Sequence, residues 1–276
     1  MARNSLKNVM RLIEIANNNL STEEQFVNDL KVSIEKANNE VRKPSQTIKP
    51  SSFNCIRNAY YQLMGETPDE SKTSFQMIGI CDSGTDRHIR MQKAIEQMHD
   101  ILGIDCQYID IANFIEQRGL TDIIVKEKLG METKLYNKRY NMSFMTDGIV
   151  KYKGKYYIFE FKTETADKFY KRQGVDESHY NQAICYSLNF KLDDVIFLYE
   201  NRNTLDLKCY LYHVTDEMRQ DIIGKITICE NAVKEMKAPP KPENVLKKTC
   251  AYCTYRTICM REEECRSIEE SSLNNI

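Results

Sequence analysis

Two stretches of this chain hold residues whose types and spacing could do chemistry. The first is residues 146–163, TDGIVKYKGKYYIFEFKT, where Asp147, Glu160 and Lys162 stand among aromatic and β-branched neighbours. A turn closing symmetrically on Lys153-Gly154 makes the stretch a β-hairpin and sets Asp147 opposite Glu160, with Cβ atoms about 4.5–5.5 Å apart. Strand alternation then puts Lys162 on the face of Glu160 and turns Phe159 and Phe161 to the other. Facing carboxylates repel, and a hard divalent cation such as Mg²⁺ or Mn²⁺ relieves the repulsion. Such an ion lowers the pKa of a bound water and stabilises charge developing on a phosphate. Lys162 would hold or deprotonate that water, or offset charge in the transition state. The expectation is geometric: a register one residue off would move Asp147 to the face away from Glu160.

The second stretch is Cys250-x-x-Cys253-x5-Cys259, three thiolate ligands too close together for ordinary disulfide logic and suited to Zn²⁺ or an iron-sulfur cluster. A fourth ligand is needed, and metal chemistry leaves two open: Cys265 nearby, or Cys55 far back in the chain. With Cys55, the site would staple the two ends of the chain around the central region by closing a very long loop. Cys81, Cys106, Cys185, Cys209 and Cys229 stand singly and read as small core thiols.

The elements that must position these residues follow from periodicity. Residues 4–18 and 22–41 read as two helices, the second entered through a capping sequence at Ser21 to Glu24. Pro44 and Pro50 bracket a linker, after which Pro50-Ser51-Ser52 opens a helix carrying Phe53, Cys55, Ile56, Tyr60 and Leu63 up to Gly65. After a loop over residues 66–74, residues 85–102 form an amphipathic helix with His88, Met91, Ile95, Met98 and Leu102 on its inward stripe. A neutral imidazole at His88 is an ordinary third ligand for Mn²⁺ or Mg²⁺, although a lone inward histidine is equally a packed core residue. Short β-rich runs follow at residues 123–125, 134–140, 143–150 and 156–163. A helix over 178–190 places Gln182 and Tyr186 one turn apart on one face. Strands at 194–199 and 205–214, a long helix over 215–237 and a proline-rich linker at 238–242 complete the pattern. The order is that of a mixed α/β fold.

The chain has 276 residues, 41% of them apolar, enough for one substantial core with appendages. Its 39 basic residues nearly balance its 40 acidic ones, so any affinity for nucleic acid rests on local patches. No run approaches the roughly 18–20 apolar residues that span a bilayer, and the start carries no signal-peptide core. The sequence reads as cytoplasmic, with no membrane partner, and in a reducing compartment the clustered cysteines point to a metal.

Over residues 50–265 the ordered set resembles the RecB-like exonucleases of the PD-(D/E)XK superfamily, most closely the CRISPR-associated branch with a four-cysteine iron-sulfur cluster. The matching positions are Cys55, His88, Asp147-Gly148, Glu160-Phe161-Lys162, Gln182 with Tyr186, and Cys250, Cys253 and Cys259. The resemblance implies a restriction-endonuclease-like core: a mixed central sheet flanked by helices at 46–237, an N-terminal helical extension at 1–45 and a cluster segment at 238–276. It implies that His88, Asp147, Glu160 and the backbone carbonyl of Phe161 bind the metal and that Asp147, Glu160 and Lys162 are catalytic. Gln182 and Tyr186 would line the DNA path, and Cys55, Cys250, Cys253 and Cys259 would hold a 4Fe-4S cluster, with Cys265 left over. The implied activity is a metal-dependent DNA nuclease, an exonuclease on single-stranded DNA or free ends in recombination, repair, replication or CRISPR adaptation. A helicase or a recombination or adaptation protein is the implied partner. A non-catalytic DNA-binding subunit of a helicase-nuclease assembly and an RNA-processing nuclease are the alternatives. The chain departs from the pattern in its first 45 residues and in lacking a proline beside Asp147.

Overall fold

Strand-like alternation through the middle of the chain and helical periodicity on either side are matched by strands and helices in a computed structural model, which describes residues 20–38, 43–69, 73–129, 132–242, 245 and 247–273. The chain divides into two units, one of Met1–Val41 with Glu70–Ser83, the other of Arg42–Asp69 with Gly84–Ile276. The first holds helix α1 (Thr22–Asn38), which none of its side chains buries. The Ser21 hydroxyl accepts from the Glu24 backbone N–H at 3.3 Å and the Glu24 carboxylate from the Ser21 N–H at 2.9 Å, the reciprocal capping expected there. The helix expected over 4–18, and residues 39–41 of the second, lie outside the described residues.

The second unit is a mixed α/β fold. Strands β1 (Cys106–Ile109), β5 (Gly148–Tyr152), β6 (Lys155–Glu164), β7 (Asp194–Asn201) and β8 (Leu207–His213) form a five-stranded sheet in the order β1-β5-β6-β7-β8. Only β6 and β7 pair in parallel, and α5 (Ala166–Lys171) and α6 (Glu177–Phe190) make the crossover that a parallel pair requires. Strands β2 (Ile123–Leu129), β3 (Glu132–Asn137) and β4 (Met142–Thr146) form a separate antiparallel sheet. Helix α2 (Ile56–Met64), α4 (Ile111–Gln117) and α7 (Asp216–Lys234) complete this unit with α8 (Lys247–Ala251) and α9 (Arg256–Leu273). Side chains of Asp110, Asp176 and Thr215 accept from backbone N–H groups of the first turns of α4, α6 and α7, so each of these starts is written locally.

Apolar residues cover both faces of the five-stranded sheet. Ile149, Ile158, Phe197 and Tyr199 join a large core with Phe190 of α6 and Ile222 of α7. Val150, Phe159 and Phe161 pack on the other face against Met91 and Ile95 of helix α3 (Phe75–Leu102). Each buried phenylalanine contributes roughly 1.5–3 kcal/mol relative to exposure, which offsets the cost of drawing the neighbouring carboxylate Glu160 out of water.

Several expectations are corrected. Helix α3 begins at Phe75 rather than at residue 85; Ser74 accepts from the Met77 N–H at 3.3 Å, a start signal masked in the sequence by two glycines inside the helix. The strand expected over 143–150 is two strands in different sheets, and the chain changes sheets at Asp147. Cys55 is not within a helix: it lies in extended backbone between a 3₁₀ turn (Pro50–Asn54) and α2. Strand β1, α4 and α5 had no clear signal, being four to seven residues long. The segment from residue 238 packs with the core unit through Ala238 and Tyr255 against Tyr60, Tyr61 and Ala232. No helix among the described residues is long and apolar enough to cross a membrane.

Candidate metal centre

Asp147 stands where two hairpins meet. The β3–β4 ladder pairs Thr133 with Thr146, and the β5–β6 ladder pairs Gly148 with Phe159. Extending each register by one residue sets Glu132 opposite Asp147 on one side and Glu160 on the other. The second pairing is the register expected from a turn on Lys153-Gly154. The change of sheet depends on Gly148, whose φ of +149° and close approach to the Tyr108 ring leave no room for a Cβ. The Tyr108 hydroxyl and the Gln92 amide, the latter at 2.7 Å, both donate to the Asp147 carbonyl and fix the backbone there.

The Asp147 carboxylate is thereby aimed. Its Oδ2 accepts from the Phe161 N–H at 2.7 Å, and its Oδ1 lies 3.1 Å from His88 Nδ1. His88 Nδ1 is buried without a hydrogen-bond partner among the described residues, so the close approach is one of two lone-pair atoms facing the same space. Glu132 Oε1 is 4.0 Å from His88 Nδ1, and the ligand atoms of His88, Glu132 and Asp147 all lie within 4.8 Å of one another. Octahedral ligands about 2.1 Å from Mg²⁺ or Mn²⁺ stand about 3.0 Å apart when adjacent and about 4.2 Å apart when opposed. The observed spacings fit that donor set. His88 is held from the same helix by Arg87, which contacts the fully buried Glu200 at 2.5 Å, as does Arg90 of the next turn. Burial lowers the pKa of His88, but the hydrogen-bonding and charge of Asp147 outweigh it and raise it overall. Burial and the Asp147 charge raise the pKa of Glu132 as well.

Glu160 is 2% exposed, and burial followed by the Asp147 charge pushes its pKa up to about 7. One oxygen accepts from Lys162 Nζ; the other, Oε2, is buried with no hydrogen-bond partner among the described residues. Burial alone would discharge Lys162, but the charges of Glu160 and Asp147 more than compensate and raise its pKa. The expected sharing of faces holds: Lys162 reaches Glu160, while Phe159 and Phe161 pack on the opposite side. The expected ligand set is altered. The tight group is His88, Asp147 and Glu132, not Glu160, because Glu160 is drawn to Lys162; Phe161 contributes its N–H to Asp147.

Tyr186 is not a surface residue of a DNA path: it is buried, and its hydroxyl donates to the Met145 carbonyl, two residues before Asp147. Gln182, half-buried, donates to the Tyr186 hydroxyl at 2.6 Å. The pair braces the end of β4 and so supports Asp147 from behind. One turn earlier on α6, His179 stacks on Phe197 and Tyr199 with Nδ1 3.0 Å from the Tyr199 hydroxyl. Burial and the Lys162 charge push its pKa down to about 3, leaving it neutral.

Cys55, Cys250, Cys253 and Cys259 line one cavity of about 240 Å³ together with Arg57, Lys241 and Arg256. No three of these sulfurs lie within 4.8 Å of one another. A tetrahedral zinc with sulfur at about 2.3 Å would need sulfurs about 3.8 Å apart, so the cavity is wider than a zinc site. The Cys265 side chain lies outside the described residues.

Glu132, Gln92 and Tyr108 were missed in the sequence. A signal for Glu132 existed: a hairpin turning at Arg139-Tyr140 brings it opposite Asp147. Gln92 and Tyr108 reach Asp147 only through packing of α3 and β1, which no local pattern reports. No family model and no curated protein matches the chain. Among solved structures it is similar to the one described as "Crystal structure of SSO0001", with 14% identity, a TM-score of 0.43, and coverage of 85% of this chain and 96% of that one.

Proposed function

We propose that this chain is a metal-dependent nuclease of the PD-(D/E)XK type that hydrolyses DNA, with Asp147, Glu160 and Lys162 as its catalytic residues. The observation that carries the reading is Asp147, flanked by His88 and Glu132 on one side and by Glu160 with Lys162 on the other. His88, Glu132 and Asp147 would hold Mg²⁺ or Mn²⁺, with Glu160 and the Phe161 carbonyl as neighbouring donors. When bound, such an ion supplies an acidified water and neutralises charge on the scissile phosphate.

The chain's own residues do the rest. Three carboxylates against one ammonium leave the metal-free site negative, so it repels a phosphodiester until a cation is present. Lys162, buried beside Glu160, offers Nζ–H groups at the place where an attacking water must be oriented and where negative charge develops. Glu160, with its raised pKa and one unpartnered oxygen, is poised to take up the proton that water loses. Burial of the group keeps these charges strong by excluding bulk water.

The same reading gives the cysteine cavity a 4Fe-4S cluster held by Cys55, Cys250, Cys253 and Cys259, supported by their convergence on one cavity at separations too wide for a single zinc. Single-stranded DNA or free ends are the proposed substrate, with exonuclease action, and a helicase or a recombination or adaptation protein is the proposed partner. The test incubates purified protein with end-labelled single- and double-stranded DNA in Mn²⁺, Mg²⁺ or chelator, beside Lys162→Ala. Metal-dependent cleavage confined to the unmutated chain is expected; equal cleavage by both proteins overturns the assignment, and DNA binding without cleavage favours a non-catalytic subunit.

A further inference from the structure

Arg57 is the one buried cation of the cysteine cavity. It is 1% exposed and lines the cavity beside Cys55 and Cys259. Its terminal nitrogens are engaged: Nη1 by Glu263, and Nη2 by Glu262 at 2.5 Å and by the Tyr61 hydroxyl at 2.8 Å. Its Nε is different. That atom is shielded from water and has no hydrogen-bond partner among the described residues. A guanidinium N–H buried without an acceptor is a rare arrangement, and it points to an acceptor that belongs in the cavity.

The chemistry of the cavity says what kind of acceptor. Four thiols and three cations, Arg57, Lys241 and Arg256, suit an anionic, sulfur-rich group. Two N–H groups already lie toward sulfur there, the Asn58 amide at 3.5 Å and the Tyr255 backbone at 3.4 Å, both on Cys253. The charges of Glu262 and Glu263 do not cancel that of Arg57, since their side chains are 34% and 42% exposed and water screens them.

Resting on the cluster reading above, we propose that Arg57 donates its Nε–H to a sulfur of the bound iron-sulfur group and thereby sets its reduction potential. A hydrogen bond to sulfur and a nearby buried positive charge both stabilise the more negative, reduced state over the oxidised one. The couple adds one electron to the cluster, supplied in the test by dithionite, and no protein bond is made or broken. Arg57 is a positioning residue in this role and touches no DNA.

The test is an anaerobic redox titration of the reconstituted full chain, followed by visible absorbance and electron paramagnetic resonance. Arg57→Gln is expected to lower the midpoint so that the reduced-to-oxidised ratio at the unmutated midpoint falls about tenfold, equivalent to about 59 mV for one electron. Arg57→Lys retains the charge without the Nε–H and is expected to fall between the two. Arg256→Gln is expected to move the midpoint least. An unchanged midpoint in Arg57→Gln, with full iron and sulfide content, overturns the proposal. Failure of the unmutated chain to take up iron and sulfide overturns the cluster reading instead. Should Arg57→Gln not fold, Arg256→Gln protein labelled with [ε-¹⁵N]arginine answers the same question. A ¹⁵N coupling to the reduced cluster in pulsed resonance supports the bond, and its absence overturns it.

Discussion

The acidic centre and the cysteine cavity each gather ligands from distant segments, yet they do so in opposite ways. At the acidic centre, sheet registers bring Glu132 and Glu160 to either side of Asp147, and hydrogen bonds to its carbonyl and carboxylate hold it still. Three ligand atoms there stand within 4.8 Å. In the cysteine cavity the ligands sit at helix ends and turns, and the sulfurs stay apart. Strands deliver ligands at the spacing of a single ion; helix termini joined by a linker leave room for a larger group. The first site is built by the fold, whereas the second should help to build it.

The comparison is broken or sharpened by experiment, and Lys162→Ala carries the largest effect. Loss of the only ammonium beside Glu160 should reduce DNA cleavage at least about 100- to 1,000-fold while leaving the melting temperature nearly unchanged. A large fall in melting temperature would show that Lys162 mainly holds the fold. Gly148→Ala places a Cβ against the Tyr108 ring in a backbone conformation hostile to side chains, and should cost about 2–4 kcal/mol in chemical denaturation. An undiminished midpoint would mean that the sheet change at Asp147 does not depend on this glycine.

Cys250→Ser should bleach the broad visible absorbance of anaerobically prepared protein and expose the segment around α8 and α9 to protease, without changing metal binding at Asp147. Colourless protein with stoichiometric zinc would reverse the expected contrast between the sites. Glu132→Gln should raise the Mn²⁺ concentration for half-maximal cleavage about tenfold, which a metal titration measures; no change would remove Glu132 from the ligand set.

The smallest effect is in pH. The folded protein holds the Glu160 proton up to about 7, against an ordinary 4.5, so this group's contribution to metal-free stability is fully present below about 4.5 and is lost as pH rises through about 7. His179, pushed down to about 3 from 6.5, acts oppositely and withdraws stability as pH falls from 6.5 toward 3. Denaturant midpoints measured in chelator should therefore decline less between pH 4.5 and 8 in Glu160→Gln than in the unmutated chain. Parallel curves would remove Glu160 as the source.

Much of the second unit was legible because its strands and long helices carry strong alternation and local caps. The β5–β6 register, the side of Lys162 and the inward direction of His88 follow from periodicity alone. What escaped had weak or misleading local signals. Glycines hid the first turns of α3, and continuous β-prone residues hid the break between β4 and β5. Tyr186 looked available for a ligand because its helix face could be read, but not what that face packs against.

The sequence by itself determined which groups could react: a carboxylate pair with a lysine on one strand face, and three close cysteines. These depend on spacings of a few residues within single elements, where backbone geometry leaves little freedom. Only the tertiary structure decided that Asp147 serves two hairpins at once, that Glu132 is its second carboxylate neighbour, and that Cys55 with Arg57 faces Cys250, Cys253 and Cys259 across a cavity. Those contacts join residues tens to hundreds of positions apart, and burial in shared cores chooses among the many ways such segments could meet.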